Sequence, residues 1–221
     1  MRRNATRSEV LRTSSIGVFA ALYTIASVVP ISVFIGASSL LTLNLIVTPV
    51  IAILLTPIEA TSAALIGALL ALWISPHQAM FGPATLLLPV MGAVCGSLVF
   101  HKPKFGVPIS AGFLLAAILA YLATRSQFAY WISPHVLALV LAGSLPVFTS
   151  SKYRVPIASF ISTMCEQAVM MILAVYVLQL PAFVFVSAFP LMLYERAIGT
   201  AGAVSIAFAC ARFAPAYFGK I

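Results

Sequence analysis

The sequence predicts an all-α fold, a polytopic transmembrane helix bundle of six to eight spans with both termini cytoplasmic. Three observations predict it. First, 62% of the 221 residues are hydrophobic and only 7% are charged, with no Asp at all, so there is no polar coat for a water-soluble surface. Second, the mean hydropathy is +1.14, and the apolar residues gather in runs near the roughly 20 residues that cross about 30 Å of hydrocarbon. Third, Lys and Arg fall between these runs and mainly on one side. A soluble domain, an extracellular disulfide scaffold, a nucleic-acid binder and a disordered tail are all excluded. The net charge of +8 belongs to loop Lys and Arg that orient the chain in a bilayer.

The elements follow in order. A basic cytoplasmic head at 1–12 carries Arg2, Arg3, Arg7 and Arg12. The first apolar segment, 13–35, is too long for the core of a cleaved signal and lacks a small-residue cleavage site. Segments 39–55 and 57–74 are shorter and joined by Thr56-Pro57, so one of them is expected to be tilted or re-entrant. Segment 83–100 ends before Lys102 and Lys104, and Arg125 separates 106–124 from 129–149. Lys152 and Arg154 precede 155–178. The last segment, 183–212, contains Pro190 and is expected to be a surface stretch followed by a span beginning at that proline, since proline suits the first turn of a helix. The whole bundle is read as 13–212, with a cytoplasmic tail at 213–221. With eight spans, ten of the twelve basic residues share one face, Arg125 lies on the other, and Arg196 is within a span. The positive-inside rule makes that face cytoplasmic, and six spans keep the same parity. A multi-pass protein of the plasma membrane is the expected location.

Two echoes run along the chain. Trp-Ile-Ser-Pro-His occurs at Trp73–His77 and again at Trp131–His135, both at the expected outer face. Interfacial anchoring explains such a motif, and a shared rim of two indoles and two imidazoles around one mouth is the alternative. A faint 107-residue offset relates Pro49 to Pro156, Glu59 to Glu166, Pro83 to Pro190 and Gly92 to Gly199. Cys95, Cys165 and Cys210 have no paired spacing and read as apolar packers.

Chemistry rests on very few residues. The only acids are Glu9, Glu59, Glu166 and Glu195. Glu59 sits where it caps the start of the third segment. Glu166, Glu195 and Arg196 lie within spans, where an ion costs at least about 2.5–3.5 kcal/mol on insertion scales and therefore faces the interior or a wet cavity. Adjacent helical residues point about 100° apart, so Arg196 is expected to pair with Glu166 and to leave Glu195 toward a cavity. The other reading is a buried structural ion pair that fixes helix register. Gln167, Asn44, Tyr130, Trp131 and His135 are the polar and aromatic residues that join these ions around an outward pocket for a small molecule. No HExxH, GxSxG, P-loop or GxGxxG occurs, so the chain is read as no enzyme, with no cofactor and no metal. Active transport would then need an energising partner.

In the first segment Thr13, Gly17 and Ala21 recur every four residues and form a small-residue stripe, which allows close helix approach. The approaching helix is either one of this chain's own or a partner's. The four N-terminal arginines beside the stripe suit anionic lipid headgroups.

These features together resemble the substrate-binding (S) component of an energy-coupling factor (ECF) vitamin transporter. The resemblance rests on the basic head with the stripe Thr13, Gly17, Ala21, and on Leu43–Leu72 with Pro49, Pro57, Glu59 and Gly67. It rests also on Phe81-Gly82-Pro83 leading to Leu88-Pro89 and Gly92, and on Phe189-Pro190 followed by Glu195. The family usually has six spans. The resemblance implies outward-facing capture of a vitamin or related micronutrient, in concert with a transmembrane coupling subunit and cytoplasmic ATPase subunits. It implies that Gly17 and Ala21 meet the coupling subunit and that Glu195 contributes to the pocket. The alternative is a self-sufficient secondary transporter or channel that uses Glu166 or Glu195 as an ion site, and a structural or assembly subunit is the third reading.

Overall fold

A computed structural model of the protein describes residues 2–32, 41–145 and 150–215. The ends of the first, second and sixth apolar segments (33–35, 39–40 and 146–149) and most of the tail, with Lys220, lie outside the described residues.

Among the described residues eight α-helices correspond to the eight apolar segments. α1 is Arg2–Val28, so the basic head is continuous with the first span. It stops before Pro30, because the ring of a proline disfavours helix in the residue ahead of it. Pro30–Ser32 (β1) then pairs antiparallel with Leu41–Thr42 (β2), where a longer first helix was expected. α2 is Asn44–Leu54, and its 11 residues reach only about 16 Å at 1.5 Å per residue. α3, Pro57–Ile74, starts at Pro57, and the Thr56 N–H donates to Glu59 Oε2 at 3.1 Å to close its N-terminus. A 3₁₀ turn at Gly82–Leu86 leads into α4, Leu87–His101, and α5 is Pro103–Arg125. A second 3₁₀ stretch, Ser126–Ile132, precedes α6, Ser133–Ser144, whose 12 residues also fall short of a full crossing. α7, Ser151–Ile172, ends in a π-helical turn at Leu173–Val177.

α8 departs from expectation. It runs unbroken from Ala182 to Phe213 with Pro190 inside it, rather than starting a span at that proline. Its first two turns are held by packing. Phe185 is only 3% exposed and meets Trp131 and Tyr121 edge-to-face, with ring centroids 5.2 and 5.6 Å apart. Among the described residues six helical stretches are long and apolar enough to cross a membrane, the stretch 103–144 counting once, while α2 is short.

α7 is the hub. Its apolar window is 72% buried, against 28% for the α1 window and 22% for the α8 window. It packs on α2, α4, α5, α6 and α8. Close approach to α4 requires glycine: a Cβ at Gly96 would lie 2.6 Å from Ser162 Cβ and 2.9 Å from Ala52 Cβ. Buried hydroxyls tie the same contacts, with Ser162 Oγ donating to Gly92 O at 2.8 Å and, between α1 and α3, Thr24 Oγ1 donating to Gly67 O at 3.1 Å. Such bonds are favoured where no water competes.

The bundle has two chemically distinct ends. At one end Arg12 Nε donates to Glu59 Oε1 at 2.6 Å, joining α1 to α3. Arg154 Nη2 donates to Phe100 O at 2.6 Å, joining α7 to α4. His101 approaches the Ile53 and Leu55 backbone at that same end, and Lys102 and Lys104 follow it in the chain. The other end holds the β1–β2 pair, the 3₁₀ stretches Gly82–Leu86 and Ser126–Ile132, and Arg125, whose Nη2 donates to Leu180 O at 3.1 Å. The 107-residue echo is no structural repeat at its acids, since Glu59 begins α3 whereas Glu166 sits mid-way along the uninterrupted α7.

Candidate functional site

At the end opposite Arg12 and Glu59, the helices enclose a cavity of about 330 Å³. That lies within the range typical of small-molecule sites. α1 contributes Tyr23, α2 contributes Asn44, α7 contributes Glu166 and Gln167, α8 contributes Glu195 and Arg196, and the 3₁₀ stretch before α6 contributes Trp131. The remaining wall is mostly apolar, with Phe81, Phe185, Met170 and Met171 prominent.

Of the eight residues expected at a small-molecule pocket, Tyr130 stays outside, 43% exposed, and six line one cavity: Asn44, Trp131, Glu166, Gln167, Glu195 and Arg196. His135 does not. It is fully buried on α6, which packs mainly on α5 and α7, four residues past the indole that turns toward α8. The two Trp-Ile-Ser-Pro-His copies also fail to form a shared rim. Trp73 is 82% exposed and His77 is exposed, whereas Trp131 is 4% exposed against Phe185 and Phe189. The first copy thus suits an interfacial anchor and the second a cavity wall.

The ion pairing differs from expectation. Arg196 Nη2 donates to Glu195 Oε2 at 3.2 Å, and Arg196 Nη1 donates to Thr163 O at 3.1 Å, instead of pairing with Glu166. Backbone direction separates adjacent residues by about 100°, but both side chains are long, and the cavity is the shared polar exit from an apolar surround. They curl to the same place. The pair is well shielded, with side chains 16% and 6% exposed.

Other polar groups in the cavity are partly spent. Thr42 Oγ1 donates to Asn44 Oδ1 at 2.7 Å, and Asn44 Nδ2 reaches Tyr23 Oη at 3.4 Å. Four are not. Glu166 Oε2, Gln167 Oε1, Trp131 Nε1 and Arg196 Nε are buried and have no hydrogen-bond partner among the described residues. Native interiors leave few such atoms, because each costs about 1–3 kcal/mol. Of the eight such atoms among the described residues, these four converge on one cavity, where a polar solute would meet them, while Arg125 Nε, both His135 ring nitrogens and Ser159 Oγ lie elsewhere. Among the described residues no three His, Cys or acidic side chains come together, so the cavity offers hydrogen bonds and charge rather than a metal ligand set.

The sequence alone missed Tyr23 and Phe185. Tyr23 and Ser27, both lining the cavity, lie one turn apart on α1 and about 200° round the helix from Ala21. A polar stripe opposite the small-residue stripe was the available signal. Phe185 was hidden by the expectation of a surface stretch before Pro190.

The small-residue stripe itself faces outward. Thr13, Gly17 and Ala21 are all exposed, and nothing lies within 4 Å of where a Cβ at Gly17 would be. Packing against this chain's own helices does not explain it.

Long apolar helices around a cavity with buried, partnerless polar atoms define the chain as a polytopic membrane protein. No family model, no curated protein and no solved structure matches it.

Proposed function

We propose that this protein is the membrane-embedded substrate-capture subunit of an ECF-type importer for a vitamin or related small micronutrient. The observation that carries this reading is the set of four unpartnered buried polar atoms on one cavity. What supports the reading is their convergence on one cavity of small-molecule size, which the other unpartnered buried atoms do not share. The six long apolar helices agree with the span number of the resembled family. The cavity end is the one away from Arg12, Lys102, Lys104 and Arg154, so the positive-inside rule faces it outward from the plasma membrane. The unpartnered stripe of α1 fits contact with a transmembrane coupling subunit, and ATP hydrolysis would fall to cytoplasmic partner subunits. The chain itself performs no catalysis in this reading.

One observation favours a second reading. Glu166 Oε2 has no partner inside the most buried helix, as a proton or ion site of a self-sufficient secondary transporter would require. Reconstitution separates the two. Proteoliposomes containing this chain alone should hold solute tightly but not accumulate it under a proton or sodium gradient. Accumulation by the chain alone would overturn the capture-subunit reading in favour of the transporter.

A further inference from the structure

We infer that the cavity takes an organic cation: a planar or aromatic body that carries a protonated nitrogen together with a hydrogen-bond acceptor. This deepens the capture reading and rests on it. The argument begins with charge. The cavity wall holds two carboxyls, Glu166 and Glu195, and one guanidinium, Arg196, with no other Lys, Arg or His among its described residues. Arg196 is already committed to Glu195 Oε2 and to Thr163 O. The carboxyl left without a counter-ion is that of Glu166, which is only 7% exposed and whose Oε2 touches no donor among the described residues. A carboxylate or phosphate ligand would add a third acidic group to a wall whose one guanidinium is already paired with Glu195. A cation would supply the missing partner.

Hydrogen bonding and shape agree. Glu166 Oε2 and its neighbour Gln167 Oε1 are both unspent acceptors on α7, ready for an N–H group. The indole N–H of Trp131 and Arg196 Nε are unspent donors, so the solute must also offer an acceptor. Trp131, Phe185, Phe81 and Tyr23 present ring surfaces, which favour flat ligands and attract cations within about 6 Å of a ring centre.

The test uses the full-length protein purified in lipid nanodiscs and two measurements. The first identifies solute released when the wild type is denatured, by mass spectrometry and ion-exchange behaviour. The second titrates benzamidinium, benzamide and benzoate, three probes of one ring and nearly one size with charges of plus one, zero and minus one. The expected result is a released solute that is cationic at neutral pH, and benzamidinium binding at least about tenfold tighter than the other two. Glu166→Gln should remove that preference while Gln167→Leu weakens all three probes alike. If Glu166→Gln does not fold, the wild-type ranking and the released solute still decide. A released solute that is neutral or anionic, or benzoate or benzamide binding as tightly as benzamidinium, overturns the cation and leaves the capture reading standing. No released solute together with no binding of any probe overturns both.

Discussion

Arg196 shows what a single buried ion demands. Its guanidinium holds Glu195 and the Thr163 carbonyl within a wall that is otherwise largely apolar. Removing one partner of such a pair strands the other, which costs about 3–5 kcal/mol, whereas removing both together is often nearly neutral. Arg196→Gln should therefore lower the unfolding temperature in detergent sharply, and Glu195→Gln combined with Arg196→Gln should restore most of the loss. A double variant as unstable as the single one would show that the pair does more than neutralise itself. Trp131 makes a separate prediction. Trp131→Phe keeps a ring against Phe185 but deletes the unspent N–H, so affinity for the co-purified solute should fall by about 1 kcal/mol or roughly fivefold with little change in stability. Equilibrium binding to the stripped protein measures it.

At the scale of elements, contacts between helices depend on small residues and end groups. Gly96 lets α4 approach both α7 and α2, and a side chain there would strike Ser162 and Ala52. Gly96→Leu should destabilise the bundle by at least about 1–3 kcal/mol through overpacking, read as loss of a monodisperse folded peak. At the start of α3, Glu59 both closes the helix and meets Arg12, whose side chain is 56% exposed. A helix cap contributes about 0.5–2 kcal/mol, and an exposed ion pair about 0–1. Glu59→Ala, which deletes both the cap acceptor and the ion pair, should thus cost more stability than Arg12→Gln, which deletes the ion pair alone. Equal costs would make the ion pair the larger part.

For the whole molecule, the outer face of α1 and the orientation in the bilayer are the consequences to test. Among the described residues nothing covers Gly17. Gly17→Leu should leave folding and solute binding unchanged yet abolish uptake in cells that carry the energising partners. If binding falls with uptake, the face belongs to the fold rather than to a partner. The proposed orientation is tested at the two ends. In a cysteine-free background, Met80→Cys beside the cavity should react with an impermeant thiol reagent added outside intact cells, and Lys104→Cys should react only after lysis.

The apolar runs and the placement of Lys and Arg were enough to read a membrane bundle, its helix order and the six residues that now share a cavity. Those signals are local: a run of apolar residues has one comfortable solvent, and a rare ion within it must avoid lipid whatever the fold. Partnership was not legible. The sequence placed Arg196 with Glu166 and His135 in the wall, whereas the packed helices give Arg196 to Glu195 and bury His135 behind the wall. The same local reading broke α8 at Pro190, though aromatic packing of Phe185 keeps the helix whole. Which charge finds a partner depends on how closely glycine lets α4, α7 and α2 approach and on how long side chains bend into the space left over. Only the tertiary arrangement fixes those distances, and it alone left Glu166 facing the cavity with an oxygen unmatched.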